Sequence, residues 1–341
     1  MHMADALISP EVGGVMLAAT VGIGAYALRK TYKEDNAVNV PMMGVMGAFV
    51  FASQMINFSI PGTGSSGHIG GGILLASMLG PNAGFLTMAV ILLIQAFFFG
   101  DGGLLAYGYN VFNMGFFACM LAYSLIFLPL VRKEQNVKRI WIASILATVV
   151  GLQLGAFSVT VETLLSGKTE LPFGMFVGLM QPIHLAIGII EGAITAAVLT
   201  FVHSSHPQLL NFSNTDKKAK LGANPVLIIL TCAALVIGGF VSWYASSDPD
   251  GLEWAIENVA GKAELVAEGG AYDISQSVQD SGTFLPDYNF PVGDVEPSQM
   301  QENLGTSVAG VTGAAITAGF LVLIGFAIAF FKRKKKVQGT V

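Results

Sequence analysis

Apolar residues in this chain run in long uninterrupted blocks of about 18 to 25 residues, the length a helix needs to cross a hydrocarbon core of roughly 30 Å. Polar residues gather in short segments between them. The blocks predict membrane spans at 11 to 28, 40 to 57, 69 to 80, 83 to 99, 106 to 130, 139 to 165, 171 to 202, 223 to 245 and 306 to 331. No ten-residue alternating strands of the kind that build spanning barrels are seen. The third block is short for a crossing, so an eight-span alternative exists in which 69 to 99 is one broken helix. Pro81-Asn82-Ala83-Gly84 is a strong turn signal and separates the two blocks.

Charge decides between these threadings. Short cytoplasmic loops are enriched in Lys and Arg, and four segments are basic: Arg29 to Lys33, Arg132 to Arg139, Lys217 to Lys220 and Lys332 to Lys336. Nine spans with the amino end outside put all four in the cytoplasm, with the carboxyl end, whereas eight split them. The same threading puts 246 to 304 outside, a segment rich in Asp and Glu whose one basic residue is Lys262. The fold class expected is therefore an all-α polytopic membrane protein of about nine transmembrane helices. It divides at 1 to 205, a linker at 206 to 222, and a module at 223 to 341 of two helices joined by an acidic outer loop.

Composition agrees. The 341 residues are 53% hydrophobic and 11% charged, with mean hydropathy +0.65, against about 25% charged in soluble domains. The 41 glycines suit close helix approach in a bilayer. Cys119 and Cys232 both lie inside apolar blocks and read as packing residues rather than a disulfide framework. The amino end fails as a signal peptide: nothing basic precedes the apolar run, Asp5 and Glu11 do, and no convincing cleavage site follows. Met1 is expected to be retained, because His2 is bulky.

Polar side chains in spans are costly and usually face a bundle interior. Here they collect at the outer ends of the helices: Gln54 and Asn57, His68, Asn110 and Asn113, and Glu162, with Met1, His2 and Asp5 on the same side. A histidine in second position offers one metal a free amine, its own backbone nitrogen and its imidazole Nδ1. These close fused five- and six-membered rings and favour a nearly planar nitrogen array, the geometry of Ni(II) or Cu(II). His68 is the candidate for the fourth donor, because its glycine-rich flanks allow irregular backbone, tolerated at membrane depth only where protein or a cavity surrounds it. Taken singly, His2 is equally an accident of an unstructured terminus and His68 a satisfied structural histidine; the metal reading rests on the two sharing a face.

His184 and Glu191, seven residues apart, share a helix face and read as a buried hydrogen-bonded pair, with proton relay or metal contact as the alternatives. His203 and His206 fit an ordinary cytoplasmic loop. Gly44, Ala48 and Ala52 in the second block, and Gly14, Ala18 and Gly22 in the first, are small-xxx-small faces, suited to docking another subunit or to packing within the chain. There is no phosphate-binding loop and no His-Glu-x-x-His helix. Energy for uphill transport would come from partners or from an ion gradient, and no enzyme activity is expected.

The residues Met1-His2-Met3-Ala4-Asp5-Ala6-Leu7-Ile8-Ser9-Pro10, His68-Ile69-Gly70-Gly71, Leu79-Gly80-Pro81, Tyr109-Asn110-Val111-Phe112-Asn113-Met114-Gly115 and His184-Leu185-Ala186-Ile187-Gly188-Ile189-Ile190-Glu191-Gly192 resemble the CbiM/NikM substrate-capture subunits of energy-coupling-factor transporters. The likeness covers roughly 1 to 205. Pro249-Asp250-Gly251-Leu252-Glu253-Trp254-Ala255 resembles the PDGLE signature of the small N component, so the whole is similar to a fused NikMN protein. The resemblance implies a multi-pass protein of a prokaryotic cell membrane that captures Ni(II) or Co(II) as transported ligand, with no cofactor. It implies a metal site on Met1, His2 and His68; by the threading above, Asp5, Gln54, Asn57, Asn110 and Asn113 share that face and would surround it. It also implies a transmembrane coupling subunit, for which the Gly44, Ala48 and Ala52 face is the expected dock, and cytoplasmic ATPases as partners; no nucleic acid partner is expected. The fusion favours nickel over cobalt, and a gradient-driven divalent-metal transporter is the alternative from another class.

Overall fold

In the computed structural model, residues 2 to 33, 40 to 169, 171 to 213, 225 to 263, 265 to 291 and 297 to 338 are described, with side chains to residue 330. Met1 and the linker segment 214 to 224 lie outside the described residues. The chain is overwhelmingly helical. Among the described residues six helices are long and apolar enough to cross a membrane: α1 (Pro10–Lys33), α4 (Pro81–Phe99), α5 (Tyr107–Arg132), α6 (Val137–Ser166), α7 (Phe173–Ser205) and α11 (Gln299–Gln338), the last counted over Gln299–Phe330. Two are shorter apolar helices, α2 (Val40–Gln54) and α8 (Pro225–Gly239). Local signals set their ends. Asn136 accepts the Arg139 N–H at 2.9 Å to start α6, Gly167 closes it in the left-handed region, and Pro81 occupies the first turn of α4, where its missing N–H costs nothing.

The segment expected as a third span, 69 to 80, is helical only as α3 (Gly72–Leu79). Eight residues rise about 12 Å, well short of the bilayer core. The length before it is taken up by an antiparallel hairpin of β1 (Phe58–Ile60) and β2 (Ser65–Gly67) and by irregular backbone through His68. Gly84 of α4 faces Leu75 and Ala76 of α3, so α3 pairs with the first half of α4. The irregular stretch therefore lies inside the bundle. Its polar backbone is satisfied there: the Gly70 carbonyl accepts from Gln54 Nε2 at 2.8 Å, and the Gly71 N–H donates to Glu191 Oε1 at 2.8 Å.

The carboxyl-terminal helices are not a body apart. Helices α8 and α11 cross where Gly238 meets Gly310 backbone to backbone, and α11 also packs along α2. Gly44 faces Val322 and Ala318 of α11, and Ala48 and Ala52 are buried. The expectation that this face of the second span docks a coupling subunit is thus corrected: lacking large side chains, it receives α11 of its own chain. The small-residue row left exposed is Gly14, Ala18 and Gly22 on α1. Between α8 and α11 the acidic segment forms α9 (Gly251–Ala260) and α10 (Ala271–Gly282).

Candidate metal centre

The chain from His2 to Ser9 forms a buried strap across the bundle end, and each of its fastenings can be named. Met3 is held by Asn110, whose Oδ1 accepts the Met3 N–H at 2.8 Å while Nδ2 donates to the Met3 carbonyl at 3.2 Å. The same carbonyl accepts the Gly103 N–H at 2.9 Å. Asp5 Oδ1 accepts from the Ala106 N–H at 3.0 Å, and its carboxylate lies so close to Gly103 that any Cβ there would overlap it. The acidic segment adds two fastenings: Tyr272 Oη donates to the Ile8 carbonyl at 2.6 Å and Ser275 Oγ to Asp5 Oδ2 at 2.5 Å.

This strap lays the His2 imidazole on that of His68, with ring centroids 5.1 Å apart and planes inclined by 16°. Burial holds the His2 ring far below the ordinary histidine value, to about 3. It is neutral at neutral pH, as a ligand must be. His2 Nδ1 lies 3.2 Å from Asp101 Oδ1, and His2 Nε2 is buried without a hydrogen-bond partner among the described residues. The chelate foreseen from the sequence uses Nδ1, so Asp101 and an ion would compete for that nitrogen. Asp101 in turn accepts from Tyr288 Oη at 2.5 Å, and its carboxyl is pushed up by burial. Among the described residues, no three His, Cys, Asp or Glu side chains form a ligating group. A site here would need donors beyond these side chains.

The PDGLE segment closes the other flank. Ser66 of β2 donates through its N–H to the Pro249 carbonyl and through Oγ to the Asp248 carbonyl, both at 2.8 Å, and Trp254 Nε1 donates to the Thr63 carbonyl at 2.9 Å. Asp250 caps α9 in a reciprocal box with Glu253 and lines two cavities, one bordered by His68 and the other by His2. One, of about 420 Å³, reaches His2 and is walled by Asp5, Asp101, Asp250, Glu253, Asp280 and Asp287, with no Lys or Arg in its lining.

These features have relatives. The model of the family described as "Cobalt uptake substrate-specific transmembrane region", CbiM, matches residues 2–209, and the PDGLE domain matches 224–330. The chain belongs to the CbiM family. A fused nickel transport protein, NikMN, of Rhodobacter capsulatus is 30% identical over 290 residues, 80% of this chain and 80% of its own. A relative from Archaeoglobus fulgidus is 29% identical over 335 residues, 98% of this chain and 99% of its own. The crystal structure of a truncated transition metal transporter superposes with a TM-score of 0.53 at 32% identity, covering 60% of this chain and 100% of that one. This CbiM-family chain is therefore a multi-pass membrane protein for metal transport, fused in the NikMN manner, and its relatives are named as transport proteins rather than enzymes.

The remaining foreseen residues divide. Gln54 buttresses the His68 stretch and accepts from Gln95 Nε2 at 2.9 Å. Asn57 stands apart on the hairpin, its carbonyl accepting from the Ser246 N–H at 2.8 Å. Asn113 donates to Glu162 Oε2 at 2.7 Å and shares a cavity wall with His68. His184 and Glu191 are corrected as a pair: His184 Nδ1 bonds the Met180 carbonyl of its own helix and Glu191 bonds Gly71. Sequence reading missed Asp101, Gln95, Tyr272 and Tyr288. Asp101 carried a signal, an acid followed by Gly102-Gly103 at the end of an apolar block; the tyrosines carried none.

Proposed function

We propose that the chain is the substrate-binding membrane subunit of an ATP-driven energy-coupling-factor importer, taking Ni(II) from outside by the Met1 amine, the His2 backbone nitrogen and Nδ1, and the His68 ring. The observation that carries this reading is the half-buried His2 and His68 rings, 5.1 Å apart, at the end of a strap fastened from Met3 to Ile8. A flat all-nitrogen set suits Ni(II) and favours it over Co(II). The acidic cavity supports entry from that side, since its carboxylates attract a divalent cation within a Debye length of about 8 Å. The PDGLE module then acts chiefly as the clasp of the amino terminus.

In the same reading nine crossings put the amino end outside and the basic segments and carboxyl end in the cytoplasm, the fourth crossing point of that count being α4 and the third the composite of hairpin, irregular chain and α3. The chain's 1–205 part captures the ion, 206–222 links, and 223–341 clasps. The chain has no phosphate-binding loop, so a coupling subunit and cytoplasmic ATPases supply the drive.

The test is equilibrium dialysis of Ni(II) against the purified chain, with uptake measured in cells that also make the partner subunits. One extra residue before Met1, or His68→Ala, abolishes tight binding; His203→Ala does not. Undiminished binding by the extended chain removes the reading. Uptake by the isolated chain in vesicles, driven by a pH gradient and indifferent to ATP, would replace it with a gradient-driven transporter.

A further inference from the structure

The end of α4, Gln95–Phe99, widens into a π turn, an irregularity common at functional sites. Gly100 closes it in the left-handed region, and the Asp101 N–H returns to the Gln95 carbonyl at 3.1 Å. One turn thereby brings two side chains to the His2 ring. Asp101 Oδ1 stands 3.2 Å from Nδ1. Gln95 is a hydrogen-bonding neighbour of the same imidazole: burial dominates there and disfavours a proton on the ring, whereas Gln95 favours one. A neighbour that favours a proton on the ring presents an acceptor, which in an amide is the oxygen.

The direction of the Gln95 amide is fixed independently, from its other side. The Gly70 carbonyl can only accept, so the Gln54 atom that reaches it at 2.8 Å must be Nε2. Gln54 Oε1 is left to accept from Gln95 Nε2 at 2.9 Å, which turns Gln95 Oε1 away from Gln54. Tyr288, which also adjoins Gln95, spends its one proton on Asp101. Gln95 Oε1 and His2 Nε2 are both buried, and neither has a partner in hydrogen-bond geometry among the described residues. Buried orphans of this kind are rare, and here two stand at the same ring.

We infer that Gln95 is a positioning residue for metal capture: with the ion on His2 Nδ1, Gln95 Oε1 accepts the Nε2–H and holds the imidazole in the tautomer that ligation through Nδ1 requires. The inference rests on the capture reading above and deepens it. Asp101 selects the opposite tautomer, because a carboxylate draws the ring proton to Nδ1; lone pairs then face each other on Nε2 and Gln95 Oε1, which accounts for both orphans. On capture the ring gives up the Nδ1 proton and takes one at Nε2, so it is neutral before and after, and a hydrogen bond to Asp101 is exchanged for one to Gln95. Such outer bonds fix the orientation of a ligating imidazole and raise its basicity. Gln54, anchored on Gly70 two residues beyond His68, aims the Gln95 oxygen, so one chain of amides links the two imidazoles.

The experiment uses the full chain, with histidine labelled at both ring nitrogens, and Ni(II) as the probe. Ni(II) in a flat nitrogen field is diamagnetic, so the ring resonances can be followed by nuclear magnetic resonance, with His2 assigned through His2→Gln in the metal-free chain. The loaded chain should carry the His2 proton on Nε2 alone, exchanging slowly with water. Gln95→Leu should speed that exchange and weaken the Kd for Ni(II), read by equilibrium dialysis, about tenfold to a hundredfold. A loaded His2 without a proton on Nε2 overturns the inference and needs no variant, so the test survives a failure of Gln95→Leu to fold. A folded Gln95→Leu chain whose exchange rate and Kd match those of the unaltered chain overturns it equally. Should Ni(II) leave the His2 resonances of the unaltered chain unmoved, the capture reading itself falls, and this inference with it.

Discussion

Asn110→Leu removes the clamp on Met3 while nearly preserving side-chain volume. The Met3 carbonyl keeps its bond from the Gly103 N–H at 2.9 Å, so the damage falls on the Met3 N–H, which is left buried with no acceptor. An unsatisfied buried donor costs about 1–3 kcal/mol. The cheapest way to recover it is to let the strap lift so that water reaches the amide, and lifting carries His2 off His68. If about 2 kcal/mol is recovered that way, metal must close the strap again at that expense, and at about 1.4 kcal/mol per tenfold the Kd for Ni(II) weakens roughly 30-fold. Equilibrium dialysis of Ni(II) against the purified variant reads this directly. Asn258→Ala is the control, since Asn258 is exposed and donates to the Trp254 carbonyl of its own helix, away from the strap. A Kd for folded Asn110→Leu within about threefold of the unaltered chain would refute the view that Asn110 sets the position of His2.

Other perturbations test other fastenings. Tyr272→Phe deletes one bond to the Ile8 carbonyl, worth about 0.5–1.5 kcal/mol, and should weaken Ni(II) binding roughly two- to tenfold by the same dialysis; together with Ser275→Ala the loss should be larger, because both hold one strap. Stability should fall in acid. His2 has a folded pKa near 3 against about 6.5 when unfolded, so below 6.5 the unfolded chain binds more protons and the folded state loses ground until about pH 3. Melting in detergent should therefore drop between pH 7 and pH 5, and His2→Gln should shrink that drop; an equal drop in the variant would show that His2 is not held neutral by burial. Gly103→Ala should abolish tight binding, because its Cβ would occupy the space of the Asp5 carboxylate, whereas Gly167→Ala, with open space around it, should cost stability alone; a circular-dichroism melt beside the dialysis separates the two.

Much of this molecule was legible along the chain, because a bilayer imposes length and polarity on each segment separately. A run such as Phe173 to Ser205 can satisfy its backbone only as a helix, whatever its neighbours. The chelating set proposed for His2 is equally local in the sequence: an amine, an amide and an imidazole within two residues. Pairing was not local. That α11 covers Gly44, that α3 stops at about 12 Å and leaves His68 on irregular chain inside the bundle, and that Tyr272, Tyr288 and Asp101 converge on the amino terminus from positions up to 286 residues away all depend on which surfaces meet. Hydropathy assigns each residue an environment but not a neighbour, and the site is made of neighbours.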